Sequence, residues 1–193
     1  MTLLHKLYSI TIDRSKFREV AQRYAVFIFP LFYWGTEIHK IGIILAIAGV
    51  IIRAWAAGYL KKDQELAKDG PYMLARHPLY LGSCTLALGL ILTIQHWFIA
   101  VILGGLTALV YNHTIRHEEK NLRARFGSSY TELSKNVGPL WPKLPGVMTI
   151  LTKPGRFLGG FSFKQYLKNK EYECLLGVIA VYGILFYSHH ITH

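Results

Sequence analysis

The stretch Ile41–Leu60 reads IGIILAIAGVIIRAWAAGYL, twenty residues with a single charge, Arg53, near its end. A helix that crosses a bilayer needs about 20 mostly apolar residues, so this stretch meets the requirement directly. Three further apolar runs and one weaker run, which is interrupted by Pro30, accompany it: Leu79–Ile94, Trp97–Asn112, Cys174–Tyr187 and Tyr24–Gly35. Such runs exceed what one soluble core of this size needs. The sequence therefore predicts an all-α fold, an integral membrane bundle of five transmembrane helices.

The composition also favours a membrane protein. The 193 residues are 52% hydrophobic and 17% charged, and 22 Lys and Arg against 11 Asp and Glu give a formal net charge of +11. A soluble domain is about 45–50% apolar and about 25% charged. A mean hydropathy of +0.27 excludes a disordered chain. Nucleic-acid-binding proteins are basic and polar rather than basic and apolar, so no nucleic-acid partner is expected.

The distribution of Lys and Arg predicts the orientation in the membrane. Five spans with a cytoplasmic N-terminus place twenty Lys and Arg on the cytoplasmic side, one on the opposite side and one, Arg53, within a span. Cytoplasmic loops of membrane proteins are enriched in these residues. We therefore expect a cell-membrane protein, if the source is prokaryotic, whose N-terminus and active site face the cytoplasm.

The chain is predicted to form one domain, 1–193. Residues 1–60 contain the first two spans, 61–145 contain a loop, a helical hairpin and the segment after it, and 146–193 contain an interfacial helix and the last span. We expect a helix over Thr114–Phe126 and an irregular stretch from Gly138 to Gly155, which is rich in Pro and Gly. Arg156–Tyr172 mixes aromatic, leucine and lysine residues, which is typical of an amphipathic helix on the membrane surface.

Residues capable of chemistry concentrate at the cytoplasmic ends of the third and fourth spans, which form a helical hairpin. The sequence Gly70-Pro71-Tyr72 and then Arg76-His77-Pro78-Leu79-Tyr80-Leu81-Gly82 leads into the third span, and Arg116-His117-Glu118-Glu119 follows the fourth. Because the two helices of a tight hairpin lie side by side, their cytoplasmic ends are neighbours. These groups are therefore expected to converge at the membrane surface. Ionisable groups placed where helices leave the bilayer are functional candidates.

Structural roles remain open for the same residues. Arg76 can anchor the third span by extending to the interface. Pro78 can start the helix of that span. Glu118 and Glu119 can pair with the basic residues that follow on the same helix.

Two further features have alternative interpretations. Arg53 either extends to the cytoplasmic side or lines a substrate passage. His113 and His117 share one helical face, but a metal site needs more ligands and no third ligand is evident, so no metal site is expected. The two cysteines, Cys84 and Cys174, lack the spacing of a disulfide scaffold or a thiolate site.

A composite pattern joins Gly70-Pro71-Tyr72, Arg76-His77-Pro78-x-Tyr80-x-Gly82, a helical hairpin, Glu118-Glu119 and Phe126-Gly127-x-x-Tyr130. This pattern resembles the isoprenylcysteine carboxyl methyltransferase family, and the related phospholipid N-methyltransferases share its core. The resemblance covers roughly residues 60–145, and the remaining spans match no motif.

The resemblance implies a transferase that uses S-adenosylmethionine and releases S-adenosylhomocysteine. It implies that the cofactor is bordered by Gln64, Glu65, Leu66, Ala67, Tyr72, His77, Pro78, Leu79, Tyr80 and Glu118. His77 and the backbone N–H groups at a helix start suit the carboxylate of the cofactor. Glu118 suits its ammonium group or its ribose hydroxyls. Arg116 and Glu119 are the candidate catalytic residues.

The chain departs from the family pattern at two places. Thr114 stands where the family has a substrate-contacting Arg, and Arg116 lies two residues later, which turns its side chain by about 200° on a helix. The sequence Asn136-Val137-Gly138 stands where the family has Arg-Val-Pro. Cofactor binding therefore transfers to this chain more readily than substrate identity.

The preferred function is methylation of the C-terminal carboxylate of a prenylcysteine, which is ionised at neutral pH and needs no general base. The alternative is a phospholipid or other lipid amine, which must first be neutral and for which Glu119 or His117 is the nearest base. A non-enzymatic membrane module is the third reading. The expected partners are membrane lipids and a lipid-like or prenylated substrate, and the sequence does not predict the oligomeric state.

Overall fold

The computed structural model describes residues 39–62, 64–95 and 97–192, which form helices joined by short connections. In chain order these are α1 (Lys40–Tyr59), a 3-10 helix (Gly70–Met73), α2 (Pro78–Ile94), α3 (Trp97–Asn136), α4 (Leu144–Thr152), α5 (Pro154–Leu158), α6 (Phe163–Lys168) and α7 (Tyr172–Thr192). The all-α prediction is confirmed for these residues. One compact unit comprises Glu37–Leu176, and the rest of α7 belongs to another.

Helix α1 buries its small residues and exposes its large ones. Gly42, Ala46 and Gly49 are buried. Four isoleucines on the other side are 53–64% exposed: Ile41, Ile44, Ile47 and Ile51. A soluble core helix buries its large apolar residues, whereas membrane helices contact one another through small residues. With 20 residues and a mean hydropathy of 2.1, α1 is long and apolar enough to cross a membrane.

The other predicted spans have weaker support. Leu79–Ile94 corresponds to α2, which, like Tyr172–Tyr187 in α7, is apolar but falls among the helices of 10–17 residues. Trp97–Asn112 forms the first part of α3, a helix of 40 residues. Tyr24–Gly35 lies outside the described residues. The structure supports a membrane-associated helical protein, and the number of five spans stays a prediction.

Helices α1 and α2 pack against each other through glycines. A Cβ atom on Gly49 would lie 2.7 Å from the carbonyl oxygen of Gly82, and a Cβ atom on Gly82 would lie 2.8 Å from that of Gly49. Gly42 and Gly89 form an equivalent contact, with distances of 2.7 and 2.6 Å. The absence of side chains at these positions lets the two antiparallel backbones touch. Gly82, the last residue of the motif that opens α2, therefore has a packing role.

Two predictions for the segment after α3 are wrong. The stretch from Gly138 to Gly155 is not irregular, because it contains α4, in whose first turn proline is tolerated. The sequence Arg156–Tyr172 is not one helix, because the chain breaks at Gly160, whose φ of +98° favours glycine. A new helix, α6, begins after Ser162, whose hydroxyl accepts a hydrogen bond from the backbone N–H of Gln165 at 3.2 Å.

Candidate active site

The candidate site is built on the residues that lead into α2. Pro78 occupies the first turn of α2, where its missing N–H leaves no partner unsatisfied, as predicted. The backbone N–H groups of Arg76 and His77 donate to the carbonyl oxygens of Gly138 and Pro139, at 2.8 and 3.0 Å. This pairing fixes the backbone of the Arg-His pair against the chain that returns from α3.

The Arg76 side chain makes three contacts and is only 9% exposed. Its Nη2 lies 2.7 Å from Glu119 Oε1. Its Nη1 donates to the Tyr130 hydroxyl at 3.2 Å, and its guanidinium carbon lies 5.6 Å from the centre of the Tyr130 ring. Arg76 is thus held inside the protein by Glu119 and Tyr130, which does not favour the alternative role of an anchor that extends to the interface.

Tyr130 reaches Arg76 because α3 is interrupted. The backbone of Gly127 has φ 49° and ψ −118°, which is not helical, and the chain turns there. The helix that Thr114–Phe126 was predicted to form lies within α3 before this turn, as expected. Tyr130 is fully buried, and burial raises the pKa of Tyr130 to about 12, so that its hydroxyl stays protonated. Arg76 and Tyr130 stand in the composite sequence pattern, but neither was assigned a catalytic or cofactor-binding role.

His77 lies between the two glutamates of α3 and is 4% exposed. Its Nδ1 lies 3.7 Å from Glu118 Oε2, and its Nε2 lies 3.5 Å from Glu119 Oε1. Burial lowers the pKa of His77, and this effect outweighs the opposing effect of the two carboxylates. The imidazole is therefore neutral at neutral pH.

Three buried polar atoms of this cluster have no hydrogen-bond partner among the described residues: Arg76 Nε, His77 Nε2 and Glu119 Oε1. The Glu119 oxygen keeps its charge contact with Arg76, but the two groups are not aligned for a hydrogen bond. Buried polar atoms in folded proteins are nearly always paired. Three such atoms on neighbouring side chains mark this cluster as a candidate ligand site.

Several predicted cofactor residues meet at this cluster. Tyr72 is 5% exposed, and its pKa is raised by burial and, to a lesser extent, by the nearby charge of Glu118. The Tyr80 ring centre lies 5.7 Å from that of His77 and 5.3 Å from that of Tyr111. Leu79 follows Pro78 in the first turn of α2. The predicted convergence of the two hairpin ends is therefore confirmed.

The stretch from Gln64 to Ala67 lies between α1 and the 3-10 helix. Gln64 and Glu65 are exposed, whereas Leu66 and Ala67 are half-buried. The Glu65 carboxylate pairs with Lys61 one helical turn earlier, at 2.7 Å. The place of these four residues beside a cofactor stays a prediction.

The two residues that mark the departure from the family pattern face different surroundings. Thr114 is buried, and its hydroxyl donates to the carbonyl oxygen of Val110 at 2.7 Å. Arg116 is exposed and borders a surface cavity of about 430 Å³, whose other lining residues are Glu119, Lys120, Arg123 and Ala124. Arg116 therefore does not occupy the position of Thr114, and the catalytic roles of Arg116 and Glu119 stay predictions.

The histidine pair of α3 has no further ligand nearby among the residues that the structure describes. His113 and His117 are exposed, and His117 Nδ1 lies 3.2 Å from Asn121 Nδ2. Within the part of the chain that the structure describes, no three His, Cys, Asp or Glu residues are grouped closely enough to hold a metal ion.

Arg53 has partners inside the protein. Its Nη2 lies 2.8 and 2.9 Å from the two carboxylate oxygens of Glu171, and its Nε donates to the same carboxylate at 3.1 Å. Its Nη1 donates to the hydroxyl of Ser83. The guanidinium is thus paired with the carboxylate of Glu171, which lies just before α7. Its extension to the cytoplasmic side stays a prediction. Its lining of a substrate passage stays a prediction.

Comparison with known proteins points to one family. Residues 37–129 match the family model described as phospholipid methyltransferase. The chain is 32% identical over 106 residues to the cobalt-zinc-cadmium resistance protein CzcN of Cupriavidus metallidurans, which covers 54% of this chain and 47% of that protein. It is 31% identical over 106 residues to the nickel-cobalt-cadmium resistance protein NccN of Alcaligenes xylosoxydans xylosoxydans, which covers 54% of this chain and 48% of that protein.

The match therefore spans about half the length of these curated relatives. No solved structure matches the chain. The family match contains α1, α2, the hairpin and both glutamates of the site. Over residues 37–129, this chain matches the phospholipid methyltransferase family, which includes the membrane methyltransferases that its sequence resembles.

Proposed function

We propose that the protein is an integral membrane methyltransferase that uses S-adenosylmethionine to methylate the polar group of a lipid-like substrate. One observation carries this proposal. Four side chains converge between the start of α2 and the middle of α3, inside the segment that matches the family: Arg76, His77, Glu118 and Glu119. The active site would lie at the membrane surface, which we expect to be the cytoplasmic one from the distribution of Lys and Arg.

The residues present fit the cofactor. S-adenosylmethionine presents a carboxylate, an ammonium group, ribose hydroxyls and an adenine ring. Arg76 Nε and His77 Nε2, buried and without hydrogen-bond partners among the described residues, suit the carboxylate. Glu118, whose side chain is 43% exposed, suits the ammonium group or the ribose. Tyr72 and Tyr80 offer aromatic surface.

The bound cofactor would supply an electrophilic methyl group. The side chains of this protein would hold it in line with the acceptor and exclude water. The opposite charges of an anionic acceptor and the sulfonium are partly neutralised in the transition state. A site with little water therefore favours the reaction. The burial of Arg76 and His77 provides such surroundings.

The preferred acceptor is a prenylcysteine carboxylate. Its support is the surface cavity beside Glu119, which is lined by three cationic side chains, Arg116, Lys120 and Arg123. Cationic side chains of this kind bind carboxylates through charge-assisted hydrogen bonds. A carboxylate acceptor would need no general base, which agrees with the engagement of Glu119 by Arg76.

The amine of a phospholipid is the second candidate. The family description favours it, and the phosphate of such a lipid suits the same basic cavity. An amine must lose a proton before it attacks. Because burial lowers its pKa, His77 is a neutral imidazole, and its Nδ1, the nitrogen not assigned to the cofactor carboxylate, can accept this proton.

Binding of S-adenosylhomocysteine to the purified protein tests the cofactor proposal. By isothermal titration in lipid nanodiscs, Glu118→Gln is expected to weaken binding about tenfold, because a charge-assisted hydrogen bond is lost. Glu132→Gln, at an exposed position of α3, serves as the matched control and should bind normally. Absence of binding by the unaltered protein, or equal losses in both variants, would refute the proposal.

Methyl transfer from labelled S-adenosylmethionine distinguishes the acceptors. A farnesylcysteine analogue and phosphatidylethanolamine are offered separately, and the products are treated with base. A methyl ester releases methanol, whereas an N-methyl product is stable. Transfer to the amine only would exclude the carboxylate acceptor, and transfer to neither, despite cofactor binding, would exclude both.

A further inference from the structure

Helix α4 exposes an apolar face. Trp141, just before the helix, is 73% exposed, and Leu144, Met148 and Leu151 are 74%, 55% and 72% exposed. Positions i, i+4 and i+7 lie on one side of a helix. A contiguous patch of large apolar side chains on a surface marks a contact with a partner or a membrane.

The opposite face of α4 is fixed to the candidate site. A Cβ atom on Gly146 would lie 2.6 Å from the carbonyl oxygen of Met73 and 3.3 Å from that of Asn136. Met73 ends the 3-10 helix that contains Tyr72, and Asn136 ends α3. Four residues separate the start of α4 from Pro139, whose carbonyl oxygen accepts from the backbone N–H of His77. Helix α4 is therefore held beside the point where α2, an apolar helix, begins.

The chain around and after α4 is strongly basic. Residues 141–170 contain six Lys and Arg and no Asp or Glu. Arg156 pairs with Asp69 at 2.6 Å, and Lys143 donates to the carbonyl oxygen of Ser134 at 3.0 Å. The remaining four are exposed: Lys153, Lys164, Lys168 and Lys170. Basic clusters next to apolar helices attract anionic lipid headgroups.

We propose that α4 lies on the membrane surface with Trp141, Leu144, Met148 and Leu151 inserted among the lipid chains, and that the exposed lysines after it bind anionic headgroups. With nine residues, α4 is too short to span a bilayer. An apolar face beside basic residues is the pattern of helices that lie in the interface. The exposed isoleucines of α1 are a second lipid-facing surface of the same compact unit. In this proposal α4 is the helix that lies at the membrane surface, in place of the helix that the sequence predicted over Arg156–Tyr172.

A spin label placed on α4 tests the insertion. In a protein with Cys84→Ser and Cys174→Ser, labels are attached at Met148→Cys and, as the matched control, at Ser128→Cys, an exposed position of α3. In nanodiscs of phosphatidylcholine and phosphatidylglycerol, the label at position 148 should collide with oxygen more than with a nickel chelate, and the control label should do the reverse. A label at 148 that is open to the chelate, or is shielded from both reagents by protein, would overturn the proposal.

Spin-labelled lipids test the headgroup contact. The unaltered protein is expected to restrict phosphatidylglycerol at least about twofold more than phosphatidylcholine, and Lys164→Gln with Lys168→Gln should reduce this preference. Lys40→Gln with Lys135→Gln removes the same charge elsewhere and should retain it. Equal losses in both pairs, or no preference at the start, would overturn the headgroup contact. Neither experiment depends on cofactor binding, so both results stand apart from the proposed function.

Discussion

Arg76 Nη2 lies 2.7 Å from Glu119 Oε1, which joins the residue before His77 and α2 to the middle of α3. The Arg76 side chain is 9% exposed and the Glu119 side chain 23%. A charge with so little hydration needs a partner, and removal of that partner leaves it uncompensated. The pair therefore joins the start of α2 to α3. Glu118, whose side chain is more exposed, remains accessible to a ligand.

The first prediction concerns this pair. Glu119→Gln should lower the free energy of unfolding by about 1–3 kcal/mol, because Arg76 loses a charged partner. Denaturant or thermal unfolding in detergent measures the change. Glu132→Gln, on an exposed part of the same helix, should stay within about 0.5 kcal/mol. A similar loss in both variants would show that the ion pair has no special weight.

The second prediction concerns the glycine contact of α1 and α2. Gly49→Ala places a methyl group 2.7 Å from the carbonyl oxygen of Gly82, and such overpacking costs about 1–3 kcal/mol. Gly104→Ala is the control, because a Cβ atom there meets nothing within 4 Å, and alanine in a helix is favoured by about 0.5–1 kcal/mol. Opposite shifts in unfolding temperature are expected. Two shifts of the same sign would contradict the close contact.

The third prediction concerns the pH dependence of stability. Burial lowers the pKa of His77 below its ordinary value of 6.5. At a pH between the lowered pKa of the folded protein and the value of 6.5 for the unfolded chain, the unfolded chain binds more protons than the folded one. The free energy of unfolding therefore falls as pH decreases through 6.5 and levels off below the pKa of the folded protein. Unfolding temperatures measured from about pH 5 to 8 report this slope.

His77→Gln should flatten that slope, and His113→Gln, at an exposed position of α3, should leave it unchanged. An unaltered slope in the His77 variant would assign the pH dependence to other groups.

The fourth prediction concerns Arg53 and Glu171. Glu171→Gln should lower the free energy of unfolding by about 1.5–3 kcal/mol. The Arg53 guanidinium loses a carboxylate that it contacts through two of its nitrogens. The double change Arg53→Met with Glu171→Leu should cost less than the single one, because no unpaired charge remains.

Unfolding measurements on both variants check this order. Glu65→Gln breaks the exposed pair with Lys61 and should have almost no effect. A double variant that is less stable than the single one would contradict the argument.

The sequence predicted the helical hairpin and the meeting of His77 with Glu118, because apolar run length and a short connection are local properties. It did not predict the partners of Arg76, because these depend on the turn at Gly127 that returns Tyr130 and Gly138 to the start of α2. Helix α4 was missed because prolines and glycines indicate irregular structure, although a proline in a first turn is compatible with a helix.

The sequence by itself determined the apolar helices, the excess of basic residues and the pattern that the chain shares with the phospholipid methyltransferase family. Only the tertiary structure decided which charges are buried, and with which partners. The physical reason is that hydropathy belongs to each segment, whereas loss of hydration depends on the groups that pack around a side chain. His77 and Glu118 are both ionisable in the sequence, but packing makes one a buried neutral imidazole and leaves the other an accessible carboxylate.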